Sequence, residues 1–312
     1  MSHAVQPLSV APSRVMNMTA GPRMLITDLD NTLWDWFEAW YQSFSALLDG
    51  LVSISGLDRQ VLEDQIKAVH QRRGTAEYSN LVREVPALVE FAGSADPFDV
   101  FDEALHAQNS ARKRATRLYP GVDETFEVLK RQGVRIVAYT ESGAYWTEWR
   151  LRNTGLDGVI DVLYSSPDHD VAAGVTPGDL RTGRYTGTYG LQATRHNQLP
   201  LGVLKPNKQV LLEILTEQQC TPAEVAYLGD SLMKDIAMAQ GAGVLDVHAA
   251  YGQAQKRPEY DLLRRVTHWT DADVAREAAL SQGGGEIVPR LTCHREINEV
   301  LPVFGASLVG AT

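Results

Sequence analysis

Cysteine is nearly absent from this sequence: Cys220 and Cys293 are the only two in 312 residues. That excludes a disulfide framework and a cysteine-type metal site, and two distant thiols fit a reducing, cytoplasmic setting. Long apolar runs are missing as well. Nothing approaches the roughly 20 consecutive residues that span a bilayer, so no membrane partner is expected. Excess positive charge is lacking: 39 acidic against 29 basic residues leave a net charge of −10. This disfavours general binding to nucleic acid or to an anionic membrane, though a local basic pocket could still hold an anion. The first residues, "MSHAVQPLSVAPSRVMNMTAGPR", contain Pro7, Pro12 and Pro22 and no continuous apolar stretch; residues 1–22 are expected to be a flexible tail rather than a signal peptide. There is no internal repeat and no low-complexity tract. What is present is an ordinary globular composition, 44% hydrophobic and 22% charged, long enough for one large domain or two modest ones.

Short apolar runs alternate with helical periodicity. Met24 to Thr27 reads as a buried strand, followed by "VRIVAYT" (134–140), "GVIDVLYSS" (158–166), "EVAYLGD" (224–230) and "GVLDVHAAYG" (243–252), each after a helical segment. This order predicts an α/β fold, a Rossmann-like parallel sheet flanked by helices. In such sheets ligands sit beyond the carboxyl ends of the strands, at the topological switch point. Two stretches interrupt the alternation. Residues 35–116 carry three amphipathic helical patterns, "LDRQVLEDQIKAVHQRR", "SNLVREVPALVEFAG" and "FDVFDEALHAQNSARKRATR". A structureless loop of that length is implausible, so an inserted α-helical domain is expected. Residues 167–203, rich in Gly, Thr and Tyr, read as an insertion with a hairpin near Arg184 to Tyr189. The expected division is thus a core over 23–34 and 117–275, the helical insertion 35–116, and a segment 276–312 with no assigned role.

Polar residues recur at the strand ends: Asp28 and Asp30 after the first, Thr140 at the second, Asp230 and Asp235 after the fourth, with Lys205 opening the helix before the fourth. If the first, second and fourth strands are neighbours, three acids, a hydroxyl and an ammonium converge. Clustered carboxylates are hard oxygen ligands of the kind Mg²⁺ takes, and a carboxylate can attack phosphorus. The acidic pair alone could instead be a strand-to-turn helix cap. The basic run Arg112, Lys113, Arg114 and Arg117 reads as a solvated helix face. Trp34, Trp36, Phe37, Trp40 and Tyr41 read either as packing at the passage between core and insertion or as the wall of a substrate entrance.

"DLDNT" (28–32), "VAYT" (137–140), "KP" (205–206) and "GDSLMKD" (229–235) resemble, in order, the four motifs of the haloacid dehalogenase-like (HAD) hydrolase superfamily. The resemblance covers roughly residues 23–252 and favours a phosphatase-type member with a helical cap after the first motif. It implies Mg²⁺ as cofactor and an aspartyl-phosphate intermediate. Asp28 would be nucleophile and metal ligand. Asp30 would be general acid and base, its backbone carbonyl also on the metal. Thr140 would bind phosphoryl oxygens, Lys205 would hold Asp28 and the phosphate, Asp230 would ligate the metal, and Asp235 would support the metal site or pair with Lys205. The second aspartate favours phosphoryl chemistry, because a departing halide needs no proton. Glu141 departs from the Asn frequent at that place. The expected substrate is a small phosphorylated metabolite, with oligomeric state open. The alternatives are a phosphomutase, a protein phosphotyrosine phosphatase, and a non-catalytic binding protein that kept the fold.

Overall fold

A computed structural model describes residues 21–168, 171, 174–179, 190–252, 254, 257–270 and 287–308. The expected hairpin near Arg184 lies outside the described residues, as do residues 1–20. The four-residue strand β1 (Met24–Thr27) sits at the middle of a parallel sheet of seven strands among the described residues, in the order β4-β3-β2-β1-β5-β6-β7. The others are β2 (Arg135–Gly143), β3 (Val162–Ser166), β4 (Arg195–Gln198), β5 (Val225–Gly229), β6 (Leu245–Ala249) and β7 (Leu291–Cys293). Ile26 pairs with Val137 of β2 on one side and Tyr227 of β5 on the other. The two-residue period of a strand splits the β1 side chains between faces. Met24 and Ile26 join the core under α8 (Lys208–Glu217) and α9 (Ala237–Gly241). Leu25 joins the core under α6 (Val122–Arg131). A sheet covered on both faces needs continuously apolar strands, which is why "MLIT" shows no polar alternation.

Between β1 and α6 the chain builds α1 (Trp36–Ser55), α2 (Arg59–Arg73), α3 (Pro86–Ala92), α4 (Pro97–Val100) and α5 (Asp102–Ala115). Asp35 caps α1 by accepting from the Glu38 amide at 2.9 Å, and Gly56, at φ 67°, takes the left-handed turn that ends it. The second expected helix is broken: Pro86 lacks an amide hydrogen and opens α3 rather than continuing the preceding 3₁₀ turn at Leu81–Arg83. Phe37, Trp40, Phe44, Leu47, Leu62, Ile66 and Phe101 form a second hydrophobic cluster. It is completed from far along the chain by α10 (Tyr260–Val266). The Phe37 and Tyr260 ring centroids lie 5.2 Å apart, His70 Nδ1 is 2.6 Å from the Val266 carbonyl oxygen, and Arg265 pairs with Glu63 at 2.7 Å.

Three further features differ from the sequence-based expectation. Residues 195–198, inside the expected insertion, form the edge strand β4. It is fastened by a chain in which Ser165 Oγ and Glu148 Oε1 each lie 2.8 Å from the two ring nitrogens of His196. Ser165 is fully buried, so this chain holds β4 and presents no nucleophile. Residues 287–308 supply the opposite edge strand β7 and a 3₁₀ helix, Ile297–Phe304, whose Ile297, Val300 and Leu301 enter the α6-side core. Arg112 does not share the solvated face of Lys113, Arg114 and Arg117. It is buried with Ala104 and Ala111 on the inner side of α5, its guanidinium 4.2 Å from the centre of the Trp146 ring.

Candidate active site

Because β2, β1 and β5 are consecutive in the sheet, their carboxyl ends deliver Thr140, Asp28 and Asp230 to one rim, where strand order turns from one direction to the other. The Asp28 amide continues the ladder onto the Leu228 carbonyl at 2.8 Å, which fixes the residue just past β1. The chain then reverses. Asn31 adopts φ 60°, a left-handed conformation that Asn tolerates, and its amide donates to the Trp34 carbonyl at 2.8 Å. That turn folds the Trp34 indole back to donate to Asp30 Oδ1 at 2.6 Å.

Lys205 is the hub. Its ammonium, buried over the rings of Tyr139 (4.8 Å) and Tyr227 (5.7 Å), donates to Asp28 Oδ1 at 2.6 Å and Asp235 Oδ1 at 2.9 Å. Burial alone would lower the lysine pKa, but Asp235 and Asp28 outweigh it and raise it well above its ordinary value. Asp235 also accepts from the Tyr227 hydroxyl at 3.0 Å and the Ser231 amide at 3.1 Å. It arrives through a single π-helical turn, Leu232–Ile236. Gly229 makes this possible, since a Cβ there would overlap the Asp235 carboxyl group.

Carboxylate oxygens of Asp28, Asp230 and Asp235 all lie within 4.8 Å of one another. Burial first, with Asp235 and Asp30 adding to it against Lys205, pushes the Asp28 carboxyl up to about 7. Removal from water, then Asp28 and Asp235, raises Asp230 well above the carboxylate range. Three carboxylates gathered this closely, two of them with raised pKa values and one lysine beside them, form a donor set suited to a hard divalent cation. Asp28 keeps Oδ2 engaged only by the Thr32 hydroxyl at 3.3 Å, and no described residue hydrogen-bonds the Asp230 carboxylate. Those two are free to ligate, whereas Asp235 is occupied by Lys205, Tyr227 and Ser231. His248 Nε2 lies 3.1 Å from the Asp230 carbonyl oxygen.

The Asp30 carboxylate stands outside the three-acid cluster. Ser142 donates to its Oδ2, Trp34 to its Oδ1, and Arg150 Nη1 is 3.9 Å from Oδ1. Thr140 is buried toward the carboxyl end of β2, where pairing with β3 becomes irregular, and accepts from the Ser142 amide at 3.1 Å; Ser142, two residues on, reaches Asp30. Glu141 is directed elsewhere: it accepts from the Lys205 amide at 2.7 Å and pairs with Lys234 at 2.6 Å. Arg181 and Arg184 lie outside the described residues. Sequence reasoning passed over Ser142, Glu77 and Arg150. Ser142 stood two residues from Thr140, close enough to be found; Glu77 and Arg150 belong to separate elements and left no spacing signal.

The profile of the haloacid dehalogenase-like hydrolase family matches residues 22–243, more than two thirds of the chain. No curated protein matches the sequence. Among solved structures, the 2-haloacid dehalogenase of Pseudomonas syringae pv. Tomato DC3000 is similar, with 19% identity and a TM-score of 0.52, covering 91% of this chain and 98% of that one. A HAD phosphatase from Thermococcus onnurineus shares 15% identity with a TM-score of 0.48, covering 92% of this chain and 100% of that one. At 19% identity the likeness to the first of these shows the fold alone.

Proposed function

The chain belongs to the haloacid dehalogenase-like hydrolase family, and from that premise we propose that it is a Mg²⁺-dependent phosphatase acting on a small phosphorylated metabolite. The observation that carries this reading is the second carboxylate. Asp30 is held by the Trp34 and Ser142 donors, beside Asp28 yet apart from the acids that suit a metal. A hydrolase expelling halide has no use for such a group, while one expelling an alkoxide needs an acid beside the leaving oxygen.

Asp28 Oδ attacks phosphorus, the bond from phosphorus to the ester oxygen breaks, and the departing oxygen takes the proton held by Asp30. The phosphoryl group then rests on Asp28 as a mixed anhydride. Asp30, now ionised, removes a proton from an incoming water whose oxygen bonds to phosphorus. Inorganic phosphate leaves, and both aspartates return to their starting states. Lys205 favours the ionised form of Asp28 against the effect of burial and aims it through a 2.6 Å bond, and Thr140 with the neighbouring amides receives the phosphoryl oxygens. Mg²⁺, held by the Asp28 and Asp230 carboxylates and the Asp30 carbonyl with Asp235 in support, would offset the charge of the phosphoryl group. The helical segment 36–115 acts as a cap that excludes water. A panel of phosphate esters assayed with and without Mg²⁺ tests the reading. Metal-dependent phosphate release should vanish in Asp28→Asn; a variant as active as the wild type would refute the mechanism.

A further inference from the structure

Beside Asp30 lies a second buried cluster that the chemistry above does not use. Arg150 of α7 (Ala144–Asn153) and Arg112 of α5 are both buried. They share one fully committed counter-ion, Glu77, which ion-pairs with Arg150 Nη2 and accepts from the Trp36 indole at 3.1 Å. The Trp146 indole donates to the Glu77 carbonyl at 3.0 Å and its ring lies under Arg112. Glu77 is thus the only carboxylate in direct hydrogen-bond contact with either guanidinium among the described residues, Asp30 lying at the edge of ion-pair reach of Arg150. Three of their buried nitrogens, Arg150 Nε, Arg150 Nη1 and Arg112 Nε, have no hydrogen-bond partner. Arg150 Nη1 points toward Asp30 but stays 3.9 Å away, beyond hydrogen-bond range. Buried unpaired donors on charged groups are costly, and a fold keeps them where something else will accept.

We propose that Arg150, backed by Arg112, is a specificity-determining residue that binds an oxyanion on the leaving group, so that the substrate is a phosphate ester of a short hydroxy acid. This rests on the phosphatase reading, because it is the ester oxygen at Asp30 that brings the leaving group to Arg150. A carboxylate on the carbon bearing the ester oxygen spans the offset between Asp30 and Nη1. Such an anion supplies the acceptor that the unpartnered guanidinium nitrogens lack. Glu77 belongs to the stretch between α2 and α3, so the subsite is built by the helical segment and the core together.

The test compares two esters of similar size, phosphoglycolate and ethyl phosphate, with the full chain, Mg²⁺, and the Arg150→Met and Arg150→Lys variants. The wild type should favour phosphoglycolate in kcat/KM by about 100-fold, in line with one charge-assisted hydrogen-bonded pair. In Arg150→Met that selectivity should collapse toward unity, mainly through KM, and Arg150→Lys should recover part of it. Wild-type indifference between the two esters overturns the proposal without needing any variant. So does an Arg150→Met enzyme that loses activity equally on both, since that marks a residue that only positions Asp30. A wild type that releases phosphate from neither ester but does so from others also overturns it. Failure to hydrolyse any phosphate ester removes the phosphatase reading itself.

Discussion

Binding of Mg²⁺ should expel protons, in a pH window set by Asp28. Its carboxyl is pushed up to about 7 by burial and by Asp235 and Asp30, while an unfolded chain titrates near 3.9. Between these values the metal-free fold holds more protons than the unfolded chain, so its stability falls as pH rises through that window. About three pKa units correspond to at most about 4 kcal/mol, present below pH 4 and lost above pH 7. A cation that binds ionised Asp28 reverses the penalty and must displace the proton to do so. From pH 8 to pH 5.5 the Kd for Mg²⁺ should therefore weaken by about 30-fold from Asp28 alone, and more steeply as Asp230, whose pKa is also raised, takes part. Calorimetric titrations in buffers of different ionisation enthalpy would report about one proton released from Asp28 per ion at pH 6, with any from Asp230 added to it, and fewer from Asp28 at pH 8. Added Mg²⁺ should raise the melting temperature more at pH 8 than at pH 5.5. An affinity that is flat over this range, with no proton release, would refute the assignment of Asp28 as a buried ligand.

Lys205→Met leaves Asp28 and Asp235 facing each other without the buried ammonium; urea denaturation without metal should show a loss of about 3–5 kcal/mol, and kcat should fall by about 100- to 1,000-fold. Trp34→Phe keeps the ring but removes the 2.6 Å bond to Asp30. Turnover of an alkyl phosphate should drop about 10-fold, and that of p-nitrophenyl phosphate, whose leaving group needs no proton, should drop less. Leu301→Ala opens the core where the last helical turn packs; denaturation should show a loss of about 2–5 kcal/mol with no change in Mg²⁺ affinity.

Five strands were legible because buried parallel strands must be apolar throughout: "MLIT", "RIVAY" and "VAYLG" carry that pressure in their side chains. The two edges were not. β4 reads "RHNQ" and is half exposed, while β7 is three residues long; an edge strand needs little hydrophobicity, and so leaves little trace. Asp28, Asp30, Asp230 and Asp235 could be proposed from sequence because each follows a strand at short range, and Lys205, well before β5, because of the motif resemblance. The Arg150–Glu77–Arg112 cluster draws on three elements whose meeting depends on how helices pack, and Arg112 looked solvated because its neighbours on α5 are. The π turn at Leu232–Ile236 was hidden by a composition that suits an ordinary helix equally well.

The placement of α10 and of the last described segment bears on how the chain is made. Residues 260–266 close the hydrophobic cluster begun by α1 at residue 36, and residues 291–304 close the sheet core begun at residue 24. Neither cluster is self-sufficient in a nascent chain: each waits for side chains synthesised more than 200 residues later. A ribosome extends the chain at about 5–20 residues per second, so Phe37, Trp40 and Phe44 stay without their final partners for about ten seconds or more. Expression at low temperature, or alongside a chaperone that shields aromatic surface, should therefore raise the soluble yield more than any change near the acidic cluster. Fragments ending before residue 260 should aggregate even though they contain every proposed catalytic residue.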